Sequence, residues 1–186
     1  MHRSSQGKTY KSLFVFLPNM ISMLRLPIAA AFLVVDGQVW RGVLLSAGAM
    51  TDALDGWVAR RFGLGTKSGA VIDPLFDKLF ILVVMASFIP GPYLGWTQFA
   101  ILVARDVYVG AAFIFAKIAN VNLPDRARLG GKVVTFLQMV TLFVLLFAPD
   151  LIDYCVVAVG VSGGIAIVDY TVAASMASRR PPSSAL

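Results

Sequence analysis

Four aspartates stand in two spaced pairs, Asp52 with Asp55 and Asp73 with Asp77. Spacings of three and four residues both put two side chains on one face of a helix. The segments that carry them are apolar and are joined by the short loop 61–67, which makes the two helices antiparallel neighbours. All four carboxylates would then share one space. Anions that close repel strongly in low dielectric, and charges inside a membrane are costly and usually functional. Arg60 and Lys78 are too few to neutralise the cluster and also bind an anionic ligand. Hard divalent cations with oxygen ligands are the better counter-charge, and Mg2+ shared with substrate phosphates fits best. The sequence does not separate Mg2+ from Mn2+. Two metals bridged by these carboxylates would make a phosphoryl-transfer device. Gly56 would let a ligand approach the helix backbone, Gly69 would relieve crowding between the helices, and Arg60 would grip a diphosphate.

The surrounding chain is built for a bilayer. Of 186 residues, 58% are apolar and 14% charged, against about 25% charged in soluble chains; the mean hydropathy is +0.79. A soluble globular enzyme, a disordered tail and a DNA-binding module are excluded, and an integral membrane protein remains. All ten acids are Asp, a restriction that suggests several are placed for geometry. The net charge of +6 fits loops facing anionic lipid rather than nucleic acid. Cys155 is the one cysteine and reads as a small core residue. The one histidine, His2, gives no basis for a His-built metal site.

A spanning helix takes about 20 residues, so the chain holds six in one all-α membrane domain. Residues 1–18 form a basic N-terminal cytoplasmic and interfacial segment without a signal-peptide cleavage pattern. The six-helix domain covers 19–178, and 179–186 is a cytoplasmic tail. The expected spans are Asn19–Val35, Val39–Arg60, Gly69–Ile89, Gly95–Ile118, Gly131–Ala148 and Tyr154–Ala177. Lys and Arg gather at the N-terminus, the 61–67 and 119–130 loops and the tail. The positive-inside rule then places both termini and the Asp cluster on the cytoplasmic side of the cell (inner) membrane.

The pattern Asp52-x-x-Asp55-Gly56-x-x-Ala59-Arg60, eight residues, then Gly69-x-x-x-Asp73-x-x-x-Asp77 resembles the signature of the CDP-alcohol phosphotransferase (CDP-alcohol phosphatidyltransferase) family at all eight fixed positions. The resemblance implies a dimeric six-helix membrane fold with a polar cavity open to the cytoplasm. It implies two divalent metals on Asp52, Asp55, Asp73 and Asp77, with Asp77 also the general base. Gly56 and Arg60, with Gly69, would lie on the CDP side. The activated hydroxyl would attack the phosphorus bearing the lipid, with CMP leaving. Leu17-Pro18-Asn19-Met20-Ile21-Ser22-Met23-Leu24-Arg25 and Gly131-Lys132-x-x-Thr135-x-x-Gln138 resemble motifs of members that make phosphatidylglycerophosphate or cardiolipin from CDP-diacylglycerol. Asn19, Ser22 and Arg25 would then line the nucleotide side, while Arg105, Arg126, Arg128 and Lys132 would receive the acceptor's phosphate. Arg105-Asp106 departs from the Arg-Glu pair of members that use glycerol 3-phosphate, which tilts the reading toward phosphatidylglycerol.

Each feature has a plainer explanation. The Asp cluster reads alternatively as helix-end acids paired with Arg60, Arg61 and Lys67, although four aligned acids in apolar helices have no cheap structural excuse. Arg25 reads equally well as a snorkelling interfacial residue. Adjacent Arg105 and Asp106 cannot share a face, so each is expected to pair with another helix. Arg126, Arg128 and Lys132 also satisfy the positive-inside rule. Asp169 is assigned nothing, and Gly160, Gly163 and Gly164 suggest close helix packing or a dimer seam. Three other functions compete: transfer to another alcohol such as an inositol phosphate, a prenyl-diphosphate transferase, and a divalent-cation transporter. Prenyl transferases usually need a longer chain and space their acids differently. A transporter usually shows repeated halves, and none is visible.

Overall fold

The computed structural model describes residues 20, 22–62, 69–118 and 128–178. Six α-helices account for most of them: α1 (Arg25–Val34), α2 (Gln38–Phe62), α3 (Gly69–Ala86), α4 (Trp96–Ile118), α5 (Arg128–Phe147) and α6 (Ile152–Ser178). A 3-10 turn, Pro149–Leu151, leads into α6. No strand occurs among the described residues. Contacts fall into two units, Met1–Ser87 and Phe88–Leu186.

The helix breaks follow the sequence punctuation. Gly37, at φ +96°, makes the turn between α1 and α2 in a conformation that glycine adopts freely. Arg41 secures that turn: its Nε donates to the Val35 carbonyl at 3.0 Å and its guanidinium lies 5.4 Å from the Phe32 ring centre. The first span is interrupted at Leu24: residues 20, 22 and 23 are helical ahead of α1, and Pro27 lacks the N–H that would bond to the Met23 carbonyl. Leu24 is accordingly a turn, although its N–H still reaches Met20 and its carbonyl accepts from Ile28.

In the first unit, buried residues recur at helical spacing. Ser22, Arg25, Ala29 and Phe32 form the inner face of the first segment. On α3 the inner stripe is Asp77, Phe80, Ile81, Val84 and Met85, of which all but Asp77 are buried. Helix α2 meets α3 where Gly48 faces the Phe80 ring; a Cβ on Gly48 would lie 2.8 Å from Cε2 and 2.9 Å from Cε1 of that ring. Absence of a side chain at 48 therefore sets how closely α2 and α3 approach.

In the second unit, α4 and α6 run parallel with α5 antiparallel to both. Gln98 donates to Asp153 at 2.7 Å, Gly160 faces Ile101, Gly163 faces Arg105, and Tyr108 shares a 2.7 Å hydrogen bond with Thr171. Both numberings rise together along that sequence of contacts. Gly160 and Gly163 thus serve packing within the unit, whereas Gly164 meets nothing within 4 Å. The inner stripe of α6 is Ile152, Val156, Val159, Gly163, Ala166 and Tyr170. Its opposite face, with Val157, Val161, Ile165 and Val168, is apolar and exposed, the pattern of a helix that meets lipid.

Among the described residues three helices are long and apolar enough to cross a membrane, within Trp96–Phe115, Gly130–Phe147 and Pro149–Ser175. Helix α1 is apolar but has 10 residues. Helices α2 and α3 have 25 and 18 residues and carry the signature charges within them.

Candidate functional site

Asp77 lies on α3 one turn before Phe80, so the helix that buries Phe80 also turns Asp77 inward. There it forms an ion pair with Arg25 of α1. The Arg25 side chain is 1% exposed and that of Asp77 is 26% exposed. The arginine enters from the inner face of α1, one turn after Ser22, which is fully buried. Its Nε donates to the Thr51 hydroxyl on α2 at 3.3 Å. The Thr51 hydroxyl in turn donates to the Gly48 carbonyl at 2.7 Å. One guanidinium therefore ties α1, α2 and α3 together.

This burial overturns the snorkelling explanation of Arg25. A snorkelling side chain keeps its charged end in the wet interface, whereas Arg25 directs its head to a carboxylate inside the unit. The pair also fixes a register. Thr51 meets the level of Asp77 through Arg25, and Gly48 meets Phe80. Three residues back along α2 correspond to three forward along α3, as in antiparallel neighbours.

Asp52 and Asp55 lie on α2 and Asp73 on α3, but their side chains are outside the described residues. The same holds for Arg60, and Gly56 and Gly69 are placed only as helical positions. Asn19 and Arg126 also fall outside, and Arg128 is placed only as the first residue of α5. Among the described residues no group of three metal-binding side chains is found. The donor set offered by the signature is carboxylate oxygen alone, which suits a hard divalent cation.

The second unit holds a separate buried polar cluster. Arg105 Nη1 donates to Asp106 Oδ1 at 3.0 Å. The two do not share a helix face, but a long, flexible arginine stem spans the roughly 100° between successive positions, so Arg105 pairs with its own neighbour where a partner on another helix was expected. Asp106 also meets another helix, as expected, because Gln138 Nε2 of α5 donates to its Oδ2 at 2.6 Å. The same amide nitrogen reaches the Leu102 carbonyl at 2.7 Å. Gln138 is fully buried. Arg105 fits because Gly131 and Gly163 leave room for its side chain. Lys132 is exposed, as is Asp169.

Thr51 and Gly48 were not singled out from the sequence, yet a signal was present. Gly48, Thr51, Asp52 and Asp55 follow the i, i+3, i+4, i+7 spacing of one helix stripe. The two small or hydroxylated residues precede the two acids on the same face.

Comparison with known proteins adds an independent line. The family model described as CDP-alcohol phosphatidyltransferase matches residues 15–172. The chain is 29% identical over 154 residues to CDP-diacylglycerol–glycerol-3-phosphate 3-phosphatidyltransferase 2 of Arabidopsis thaliana, covering 73% of this chain and 66% of that protein. It is 29% identical over 136 residues to the CDP-diacylglycerol–glycerol-3-phosphate 3-phosphatidyltransferase of Rickettsia felis, covering 70% of this chain and 74% of that protein. A cardiolipin synthase (CMP-forming) / mitochondrial hydrolase fusion protein of Schizosaccharomyces pombe is 27% identical over 115 residues, 60% of this chain and 19% of that protein.

Proposed function

The chain belongs to the CDP-alcohol phosphatidyltransferase family, and from that premise we propose that it moves the phosphatidyl group of CDP-diacylglycerol to the hydroxyl of a glycerol-type acceptor. The observation that carries this reading is the register of α2 and α3 at Gly48–Phe80 and at Thr51–Arg25–Asp77. Both helices rise about 1.5 Å per residue. Continued along them, the register sets Asp55 level with Asp73 and Asp52 level with Phe76, next to Asp77. Four carboxylates on neighbouring helices at these levels suit a pair of divalent cations.

In the proposed reaction Asp77 accepts the proton of the acceptor hydroxyl. The freed oxygen forms a bond to the phosphorus that carries the lipid. The bond from that phosphorus to the CMP oxygen breaks, and CMP departs with the electron pair. Two Mg2+ held by Asp52, Asp55, Asp73 and Asp77, or Mn2+ in their place, would supply charge stabilisation at the attacking and leaving oxygens. Gly56, Arg60 and Gly69, with Asn19 and Ser22, would hold the CDP moiety. Arg105, Arg126, Arg128 and Lys132 would receive the acceptor. Six spanning helices, a homodimer, cytoplasmic termini and a cytoplasmic-facing site in the inner membrane complete the proposal.

Glycerol 3-phosphate is the first acceptor to test, because the plant and rickettsial relatives are named for it. Phosphatidylglycerol is the second. The Asp106 carboxylate offsets the Arg105 charge, which suits a less charged acceptor, and one relative is a cardiolipin synthase. Purified protein in nanodiscs with CDP-diacylglycerol and Mg2+ should release CMP when one of these acceptors is added. Mass spectrometry of the lipid product identifies which. No CMP with any glycerol-type acceptor, from protein that remains folded, rejects the reading.

A further inference from the structure

We infer that Arg25 is a positioning residue for the catalytic centre, one that holds Asp77 by a single carboxylate oxygen and locks α2 and α3 in register. The inference rests on the reading of Asp77 given above, and goes beyond it by assigning a role to a residue of α1 that lies outside the two-helix signature.

Three observations support it. First, Arg25 is the largest fully buried side chain of the unit and is 1% exposed. A guanidinium in that position needs a lasting partner, since removing one member of a buried pair leaves an uncompensated charge. Asp77 Oδ1 is one such partner, and that contact is taken to persist when the site is loaded. Second, that contact leaves Asp77 partly open, at 26% exposure. With Oδ1 buried and paired with Arg25, Oδ2 is the oxygen assigned to ligand chemistry. Asp77 would then bind a metal through one oxygen rather than two. Third, the guanidinium fork reaches two helices at once, with Nε on Thr51 and Nη1 on Asp77. Thr51 immediately precedes Asp52, so the same contact fixes the turn of α2 that bears the first signature acid. A lysine has one nitrogen and a flexible stem, and does not reproduce this fork.

The geometry separates positioning from mere support. A supporting residue stabilises the fold and leaves the metal site's affinity unchanged. A positioning residue sets that affinity, because partners of metal ligands typically contribute roughly 10- to 100-fold in affinity or activity. The test uses the full chain in detergent micelles and Mg2+ alone as probe. Thermal unfolding is followed across a Mg2+ titration for wild type, Arg25→Gln, Arg25→Lys and Thr51→Val. The Mg2+ concentration giving half of the stabilisation should rise by roughly 10- to 100-fold in Arg25→Gln. It should rise less in Arg25→Lys, which keeps the charge, and least in Thr51→Val. In turnover assays kcat should fall in that same order, with KM for CDP-diacylglycerol little changed. If Arg25→Gln does not fold, Arg25→Lys and Thr51→Val are read in the same way. An unchanged half-saturating Mg2+ concentration in folded Arg25 variants overturns the inference, even where their unfolding midpoint without metal is lower. If wild type shows no CMP release, the proposed function fails. If wild type is active and the Arg25 variants match it, this inference alone fails.

Discussion

A carboxylate that both holds a cation and takes a proton must keep one oxygen in a fixed direction, and Asp77 has the surroundings for that. Its backbone is set by the stripe that buries Phe80, Ile81 and Val84, and Arg25 restrains its carboxylate. Replacing it with asparagine keeps the shape and the lone pair on one oxygen but removes the negative charge and the capacity to accept a proton. Asp77→Asn should retain CDP binding, measured by equilibrium binding of labelled nucleotide, while kcat falls by about 10²- to 10⁴-fold, the contribution of a general base. Retained turnover would remove Asp77 from that role. The acid itself was legible from the Asp73–Asp77 spacing. Its partner was not, because adjacency between Arg25 and Asp77 depends on how α1 docks against α3, and no local pattern encodes a separation of 52 residues.

Helix positions were more legible than helix contacts. The observed helices lie close to the expected spans because Asp36-Gly37, Pro90-Gly91-Pro92 and Pro149 interrupt apolar runs with residues that helices tolerate poorly. Within the first span Pro27 marks a further break, at Leu24. Two helix contacts carry measurable consequences. At Gly48 a methyl group would be driven into the Phe80 ring, which is 1% exposed and has no free space to turn into. Gly48→Ala should push α2 from α3 and lower turnover, and Phe80→Leu in the same chain should restore part of it. Equal effects of Gly48→Ala with and without Phe80→Leu would show that the ring is not what limits the approach. In the second unit, Gln138→Leu removes interhelical hydrogen bonds of about 0.6 kcal/mol each on average within membranes. Asp106→Ala instead leaves Arg105, 13% exposed, without its carboxylate, a loss of about 3–5 kcal/mol for a fully buried pair and less here. Unfolding by denaturing detergent should rank Asp106→Ala as the more damaging change, and the reverse order would show that Arg105 has other compensation.

For the molecule as a whole, three helices among the described residues are long and apolar enough to cross a membrane, while α2 and α3 carry the signature charges. Those are the segments to which the proposed reaction assigns its chemistry. If all six helices cross, the turns around Gly37, Pro90–Gly95 and Pro149 share one side of the membrane, and the two termini share the other. Exposed Trp40 and Trp96 sit beside the first two of these turns, where aromatic side chains favour the membrane interface. In the sequence the basic stretches fall at the two termini and in the other two loops. Because Cys155 is the one cysteine, a Cys155→Ala chain gives a clean background for labelling. In intact cells a membrane-impermeant maleimide should modify a cysteine introduced by Asp36→Cys, but modify one introduced by Ser183→Cys only after the inner membrane is opened. Labelling of the Ser183→Cys chain from outside would break the parity of six crossings. It would leave α2 or α3 on the surface of the bilayer, and with it the Asp-bearing turns outside the enclosed site the proposed reaction requires.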